Sequence, residues 1–374
     1  MLTTEQTYII MLLRAAFGQT AAPTAPEHLD EAAAERMIRN NGILLTVYAS
    51  LTSALRDKLR IDCLSMASQQ VQQGYEGKQI MTALRAAGLD CIGLKGWETR
   101  KLYPQETMRQ MADLDILVRP YHFKQIADIM RGLKFTVGDE SSWKHDNFAK
   151  GCITVEMHKR LTDDSDQVRE WERHVWDRVI RDGDGLRMSM EDQMIFHIVH
   201  MQKDFMNGSL GLRRIVDTWL LQRQEFDHDW VRQEMERMGL ASFYEHMLRL
   251  SRQCMGETEL DEDGEFLLDH AFRYGIYGSQ KTYQMGRIVR MSGGSLMSGK
   301  IRSAAAAVFL PRPRMKAHFP TLERYPVLLP YFWGKRIARF LKGDVRQLRQ
   351  RLDYSDLTEE DYREMQRFSR AGGC

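Results

Sequence analysis

The stretch that most constrains this chain is DLDILV, residues 113–118. Its period-two alternation predicts a strand, because successive side chains of a strand point to opposite faces. Leu114, Ile116 and Val118 then form a core-facing row, and Asp113, Asp115 and Leu117 share the other face. Two ionised carboxylates side by side repel, and without a counter-charge one of them tends to protonate. A divalent cation that coordinates both removes the conflict, and Mg²⁺ favours one or two carboxylates plus substrate phosphates. A second segment, ITVEMH at residues 153–158, alternates Thr154, Glu156 and His158 with Val155 and Met157. If the two strands are neighbours, Glu156 can face the aspartates and complete the donor set of a two-metal phosphoryl-transfer site. A DxD motif alone is weak, and its bland reading is a pair of solvated surface acids.

Upstream, LDCIGLKG (residues 89–96) reads as a strand that ends in Lys-Gly and opens a helix. Such a turn can present backbone N–H groups and one cation to a phosphate. Gly96 would allow close approach, and Lys95 would act as a point charge. Arg109 precedes Asp113 by four residues and could grip a phosphate oxygen with two parallel bonds. Taken singly, Lys95 and Arg109 read as solvated surface charges.

Around this core the periodicity changes. Residues 1–88 read as helices with apolar residues at three- and four-residue spacing, closed by Gly88 as a C-terminal cap. Residues 89–165 read as a small mixed α/β unit. Residues 166–300 read as helical again, with clear segments at MSMEDQMIFHIVHMQKDF, LGLRRIVDTWLLQRQ and WVRQEMERMGLASFYEHMLRL. Met188, Met190, Met194, Met201 and Met206 read as pliable core. His197 and His200 lie three apart on one helix, a spacing that more often means packing than zinc binding. Arg214 and Asp217 share similar spacing, with an ion pair as the default. A Gly/Ser-rich break at residues 291–300 precedes a basic, aromatic-rich segment, 301–374. The fold class is therefore α+β.

The 374 residues allow two or three compact units. No apolar run reaches the length that crosses a bilayer, and the N-terminus has an early Glu5 and no basic n-region, against a signal peptide. Five scattered cysteines (Cys63, Cys91, Cys152, Cys254, Cys374) argue against a disulfide framework or a zinc knuckle. Thiols of this kind fit a reducing compartment, so a cytoplasmic location is expected.

Charge is uneven. Residues 301–351 carry twelve Lys or Arg against Glu323 and Asp344, a net +10, which leaves −8 on the remainder. Cations at Arg312, Arg314, Lys316, Arg324, Lys335, Arg336, Arg339 and Lys342 interleave with Phe319, Tyr325, Tyr331, Phe332 and Trp333. Nucleic-acid stacking, a membrane-surface segment and plain packing compete. Pro311, Pro313, Pro320, Pro326 and Pro330 are expected to interrupt any long amphipathic helix. The preferred expectation is packing on the helical domain without stable membrane insertion.

LKG, LYP (residues 102–104), Arg109 and DLDILV stand in an order and spacing that resemble a bacterial family of uncharacterised nucleotidyltransferases, a branch of the DNA-polymerase-β-like superfamily. Its members read roughly L-K-G, L-Y-P, R-x-x-x-D-i-D-i-L-V and then v-E-l-H, matched here by VEMH at 155–158. LRRIVDTWLL, with Arg213, Arg214 and Asp217, and FPTLERYPVLLPYFWGKRIARFL extend the likeness over most of the chain from about residue 30. Most polymerase-β-like enzymes carry Gly-Ser or Gly-Gly where this chain has Lys95-Gly96, which puts the usual serine contact to phosphate in doubt.

The resemblance implies a small polymerase-β-like sheet with flanking helices, set between N-terminal helices and a larger helical domain. It implies transfer of a nucleoside monophosphate from an NTP to an acceptor hydroxyl, with release of pyrophosphate. Asp113, Asp115 and Glu156 would hold two Mg²⁺ ions, with Mn²⁺ as an alternative, and carry catalysis. Lys95, Gly96, Arg109 and His158 would bind the nucleotide. His200, Arg214 and Asp217 would line an acceptor cleft. The acceptor (a protein, a sugar, a small metabolite or an RNA end), the base and the oligomeric state are left open. Two rivals stand beside this reading. One is a catalytically weak nucleotide sensor or scaffold of the same fold. The other is a DxD glycosyltransferase using nucleotide sugars, which would place a larger α/β sheet before the motif.

Overall fold

A computed structural model describes residues 1–138, 144–162, 166–183, 185–310, 312, 315, 319, 321–343 and 354–374. The chain forms two compact units. One comprises Met1–Lys203, Leu210–Tyr277 and Ala371–Cys374; the other comprises Asp204–Ser209 and Gly278–Arg370.

The first unit opens with helices α1 (Thr4–Ala16), α2 (Glu31–Asn40), the single turn α3 (Leu44–Val47) and the 34-residue α4 (Ser53–Ala86). A mixed seven-stranded sheet follows. Its strands are β1 (Asp90–Gly93), β2 (Asp113–Arg119), β3 (Thr136–Val137), β4 (His145–Lys150), β5 (Ile153–His158), β6 (Ile180–Asp182) and β7 (Gly185–Arg187). Their spatial order is β3-β4-β5-β2-β1-β7-β6. The short helix α5 (Gly96–Thr99) leaves β1, and α6 (Phe123–Gly132) follows β2. The apolar row Leu114, Ile116 and Val118 joins Ile153, Val155 and Met157 against Ile80 and Leu84 of α4 and Ile126 and Met130 of α6. Burial of this row fixes the register, because a one-residue slip would send the aspartates into the core.

Helix α7 (Asp166–Arg173), α8 (Met190–Met206), α9 (Leu212–Leu221), α10 (His228–Met238), α11 (Ala241–Cys254) and α12 (Glu262–Tyr274) continue the chain. The sequence predicts only helix beyond 166, but β6 and β7 form a hairpin there and β7 pairs with β1. Three-residue strands are too short to register as a period. Residues 230–250, read as one helical segment, divide at Gly239, which caps α10 in the left-handed conformation (φ 71°). Met188, Met194 and Met201 are buried, as expected.

The second unit holds α13 (Gln280–Met291), α14 (Leu296–Val308), α15 (Thr321–Arg324), α16 (Leu329–Gly343) and α17 (Glu359–Ala371). Here the proline argument fails. Helix α16 runs for 15 residues with Pro330 in its first turn, where a missing N–H costs nothing. Met315, Leu322 and Phe332 form a small core flanked by Phe319 and Trp333, while Tyr325, Tyr331 and Val327 are exposed. Arg314, Lys316, Pro311, Pro313 and Pro320 lie outside the described residues, as do the side chains of Arg336, Arg339 and Lys342. Among the described residues no helix is long and apolar enough to cross a membrane. All five cysteines are free, with Cys63, Cys91 and Cys254 buried.

Candidate active site

Strands β2 and β5 are parallel neighbours, with Asp113 opposite Thr154 and Asp115 opposite Glu156. That register brings one carboxylate oxygen from each of Asp113, Asp115 and Glu156 within 4.8 Å of the others. Asp115 is only 3% exposed; Asp113 and Glu156 are half-buried.

Three negative charges in so small a space require compensation, and two side chains supply part of it. Lys95 Nζ donates to Asp115 Oδ1 at 2.6 Å. His158 Nε2 donates to the same oxygen at 2.8 Å, while its Nδ1 donates to the Arg160 carbonyl at 3.2 Å. An acceptor beside each ring nitrogen favours the protonated ring. Burial works against its charge, but the bonds to Asp115 and Glu156 outweigh burial and raise its pKa. Burial also opposes the Asp115 charge, yet Lys95 and His158 win and hold that carboxyl below the usual range. Asp113 goes the other way: burial first, then Asp115, push its pKa up. His158 lowers Glu156 against a smaller effect of burial.

The turn after β1 is built around Lys95. The Leu94 N–H donates to the Asp115 carbonyl at 2.9 Å, which ties the turn to β2. Lys95 has φ 46° and ψ −121°, a conformation that a residue with a Cβ rarely adopts. Holding it there costs on the order of 1–3 kcal/mol, a kind of strain that clusters at functional sites. The Trp97 indole packs where a Cβ on Gly93 would sit, 2.0 Å from Trp97 Cδ1. At Gly96 an added Cβ would meet Arg109 Nη1 at 2.3 Å and Met111 Cγ at 2.7 Å. The missing side chain at 96 thus makes room for Arg109 as well as opening the turn.

Helices α8 and α9 form the facing wall of a cleft of about 200 Å³. The sequence assigns Arg109 to a phosphate oxygen; the structure commits it to Asp217. Arg109 Nε and Nη2 donate to the two Asp217 oxygens at 3.2 and 2.7 Å, and the Tyr103 hydroxyl donates to Oδ1 at 2.8 Å. Burial opposes the Asp217 charge, and Arg109 more than restores it, lowering the pKa. The default partner for Asp217 in the sequence, Arg214, lines the cleft.

His200 also lines the cleft, and its buried Nε2 has no hydrogen-bond partner among the described residues. Burial, then Lys95, drive its pKa well below the ordinary value, so the ring is neutral. His197 Nε2 donates to Thr218 Oγ1 at 2.8 Å, and burial lowers its pKa to about 4. The structure brings nine of the ten sequence-selected residues to one sheet face and one cleft; the tenth, Asp217, lies behind Arg109. Sequence reasoning named Arg213 only within the LRRIVDTWLL likeness and gave it no site role, and it missed Gln193 and Tyr277 in the lining. Arg213 had a signal as the neighbour of Arg214; Gln193 and Tyr277 had none. It also missed Tyr103, seen only as part of a motif.

The donor set suits hard divalent cations: three carboxylates, all oxygen, on one face of adjacent strands. A cation at this site would face a wall that carries Arg213 and Arg214 beside the Arg109–Asp217 pair. The arrangement can hold an anionic, metal-bound ligand between unlike walls. A family model described as an uncharacterised nucleotidyltransferase matches residues 12–256. No curated protein and no solved structure matches.

Proposed function

The chain belongs to the uncharacterised nucleotidyltransferase family, and from that premise we propose that it moves a nucleoside monophosphate from an NTP to an acceptor hydroxyl, releasing pyrophosphate. The observation that carries this reading is the convergence of Asp113, Asp115 and Glu156 within 4.8 Å. These residues would hold divalent cations, Mg²⁺ or alternatively Mn²⁺, which would neutralise the triphosphate and lower the pKa of the acceptor hydroxyl.

The other roles belong to the chain. Lys95 leaves Asp115 and donates to the phosphate tail; its stem is already placed by the turn. Glu156 accepts the hydroxyl proton at a carboxylate oxygen. His158 orients Asp115, fixed from behind by the Arg160 carbonyl. Arg213 and Arg214 attract the anionic substrates, and the Arg109–Asp217 pair holds the floor of the cleft. His200 offers a neutral nitrogen to a donor on nucleotide or acceptor. Transfer of this kind depends mostly on positioning and charge neutralisation, which is what these groups supply. The acceptor is a molecule bearing a hydroxyl, whether protein, sugar, metabolite or RNA end.

One observation favours a second reading. Lys95 and His158 already neutralise Asp115 without any ion, as a nucleotide sensor that binds without turnover would need. Calorimetric titration with the four NTPs, with and without Mg²⁺, tests the first step: binding should require Mg²⁺ and vanish in Asp113→Asn. Metal-independent binding of equal strength would sink the proposed site. Pyrophosphate release on adding candidate acceptors separates the two readings, since a sensor releases none.

A further inference from the structure

A second set of donors overlaps the carboxylate cluster. We infer that His145, Glu156 and His158 form a binding site for a transition-metal ion of the Zn²⁺ type, distinct from the all-oxygen site and sharing Glu156 with it.

The geometry follows from strand register. His145 and His158 stand directly opposite each other across the antiparallel pair β4–β5, and their ring centroids are 5.1 Å apart. Glu156 precedes His158 by two residues, so it projects from the same face of β5. Its two oxygens are divided between the rings. Oε1 lies 3.7 Å from His145 Nε2, and Oε2 lies 3.4 Å from His158 Nε2. One ligand atom from each residue falls within 4.8 Å of the others. Donors held roughly 2.0–2.1 Å from one tetrahedral ion stand about 3.3 Å from each other, and both glutamate–histidine separations lie within a few tenths of an ångström of that; on binding, His158 Nε2 would release its proton to solvent and exchange its bond to Asp115 for the ion.

Two further features belong to a ligand site rather than a chance cluster. His158 is only 1% exposed, and its Nδ1 is bonded to the Arg160 carbonyl. That outer bond fixes the ring with Nε2 toward the carboxylates, as metal-ligating histidines are usually fixed. His145 and Glu156 are about a quarter exposed, which leaves an approach from solvent.

Donor chemistry separates this site from its neighbour. Imidazole suits Zn²⁺ and the later first-row ions; oxygen donors alone suit Mg²⁺ and Mn²⁺. Two histidines and one glutamate are a known zinc ligand set. The face of β2, β5 and β4 therefore carries a gradient of ligand softness, from Asp113 at one side to His145 at the other, with Glu156 in the middle.

The test uses the full chain and Zn²⁺ alone, without nucleotide. Calorimetry should give one Zn²⁺ per chain, and Co²⁺ used as a spectroscopic stand-in should develop visible absorption from nitrogen coordination. His145→Gln should weaken Zn²⁺ binding by at least about tenfold, the loss that removal of even an outer partner causes. Asp113→Asn should change it by less than about threefold while abolishing Mg²⁺-dependent nucleotide binding. Glu156→Gln should lose both. Cooperative melting at or above the wild-type temperature shows that the His145 and Asp113 variants fold. Zn²⁺ binding that survives His145→Gln, or that disappears in Asp113→Asn, overturns the inference, as does absence of Zn²⁺ binding to the wild type. The inference does not depend on nucleotide transfer: failure of Mg²⁺-dependent binding with His145-dependent Zn²⁺ binding intact would refute only the transfer reading.

Discussion

The two walls of the cleft bury charge in opposite ways. On the helix wall, Asp217 sits in a closed arrangement, with Arg109 bidentate and Tyr103 on the same carboxylate. On the strand wall, three carboxylates share Lys95 and His158, and Asp113 is left with a raised pKa. A closed ion pair holds a scaffold in place, because breaking it strands a buried charge. An incomplete one leaves affinity for a further cation. The same residue types are therefore closed on one wall and left open on the other, and the difference lies in how far the partners satisfy them.

The largest effect is expected where the charge is incomplete. Asp113→Asn and Asp115→Asn should each lower nucleotide transfer by at least about 100-fold. Their stabilities should diverge when measured in EDTA. Asp113→Asn removes a repelled charge and should raise the melting temperature. Asp115→Asn strips Lys95 and His158 of their shared acceptor and should lower it. Equal shifts would erase the contrast between the two aspartates. Sequence alone predicts that either change holds or raises the melting temperature; the partners of Asp115 reverse that for one of them.

Next comes the helix wall. Asp217→Asn should cost about 3–5 kcal/mol in urea unfolding, because Arg109 is left buried without its counter-charge. If it costs no more than an ordinary surface substitution, the pair is not the support described.

A smaller effect concerns acid. His197 titrates at an ordinary 6.5 when unfolded and at about 4 when folded. The unfolded chain thus takes up the proton first as pH falls. This contribution to stability is fully present above pH 6.5 and is lost on going down toward about 4. His197→Asn should flatten the stability profile across that window. Identical slopes for mutant and wild type would remove His197 as the cause.

The smallest effect tests the turn. Lys95→Ala and Lys95→Gly should both weaken NTP binding more than NMP binding. Lys95→Gly should be the more stable of the two by about 1 kcal/mol, since glycine accepts φ 46° without strain. Equal losses for NTP and NMP would move Lys95 away from the phosphate tail.

The sequence by itself determined the strand wall. Period two in DLDILV and ITVEMH places Asp113, Asp115, Glu156 and His158 on polar faces, because alternation is a local property of an extended backbone. The same local logic reached β1 and the cap at Gly88, which has φ 77°. It missed β6 and β7, whose three residues hold too little pattern, and it let Pro330 break a helix that in fact begins there. What only the tertiary structure decided is who pairs with whom. Arg109 turns to Asp217, 108 residues away in the chain, and Lys95 turns to Asp115. His145 comes to face His158 because β4 folds back on β5. Charges reach their partners through space, and no spacing along the chain encodes the separation that matters to Coulomb's law.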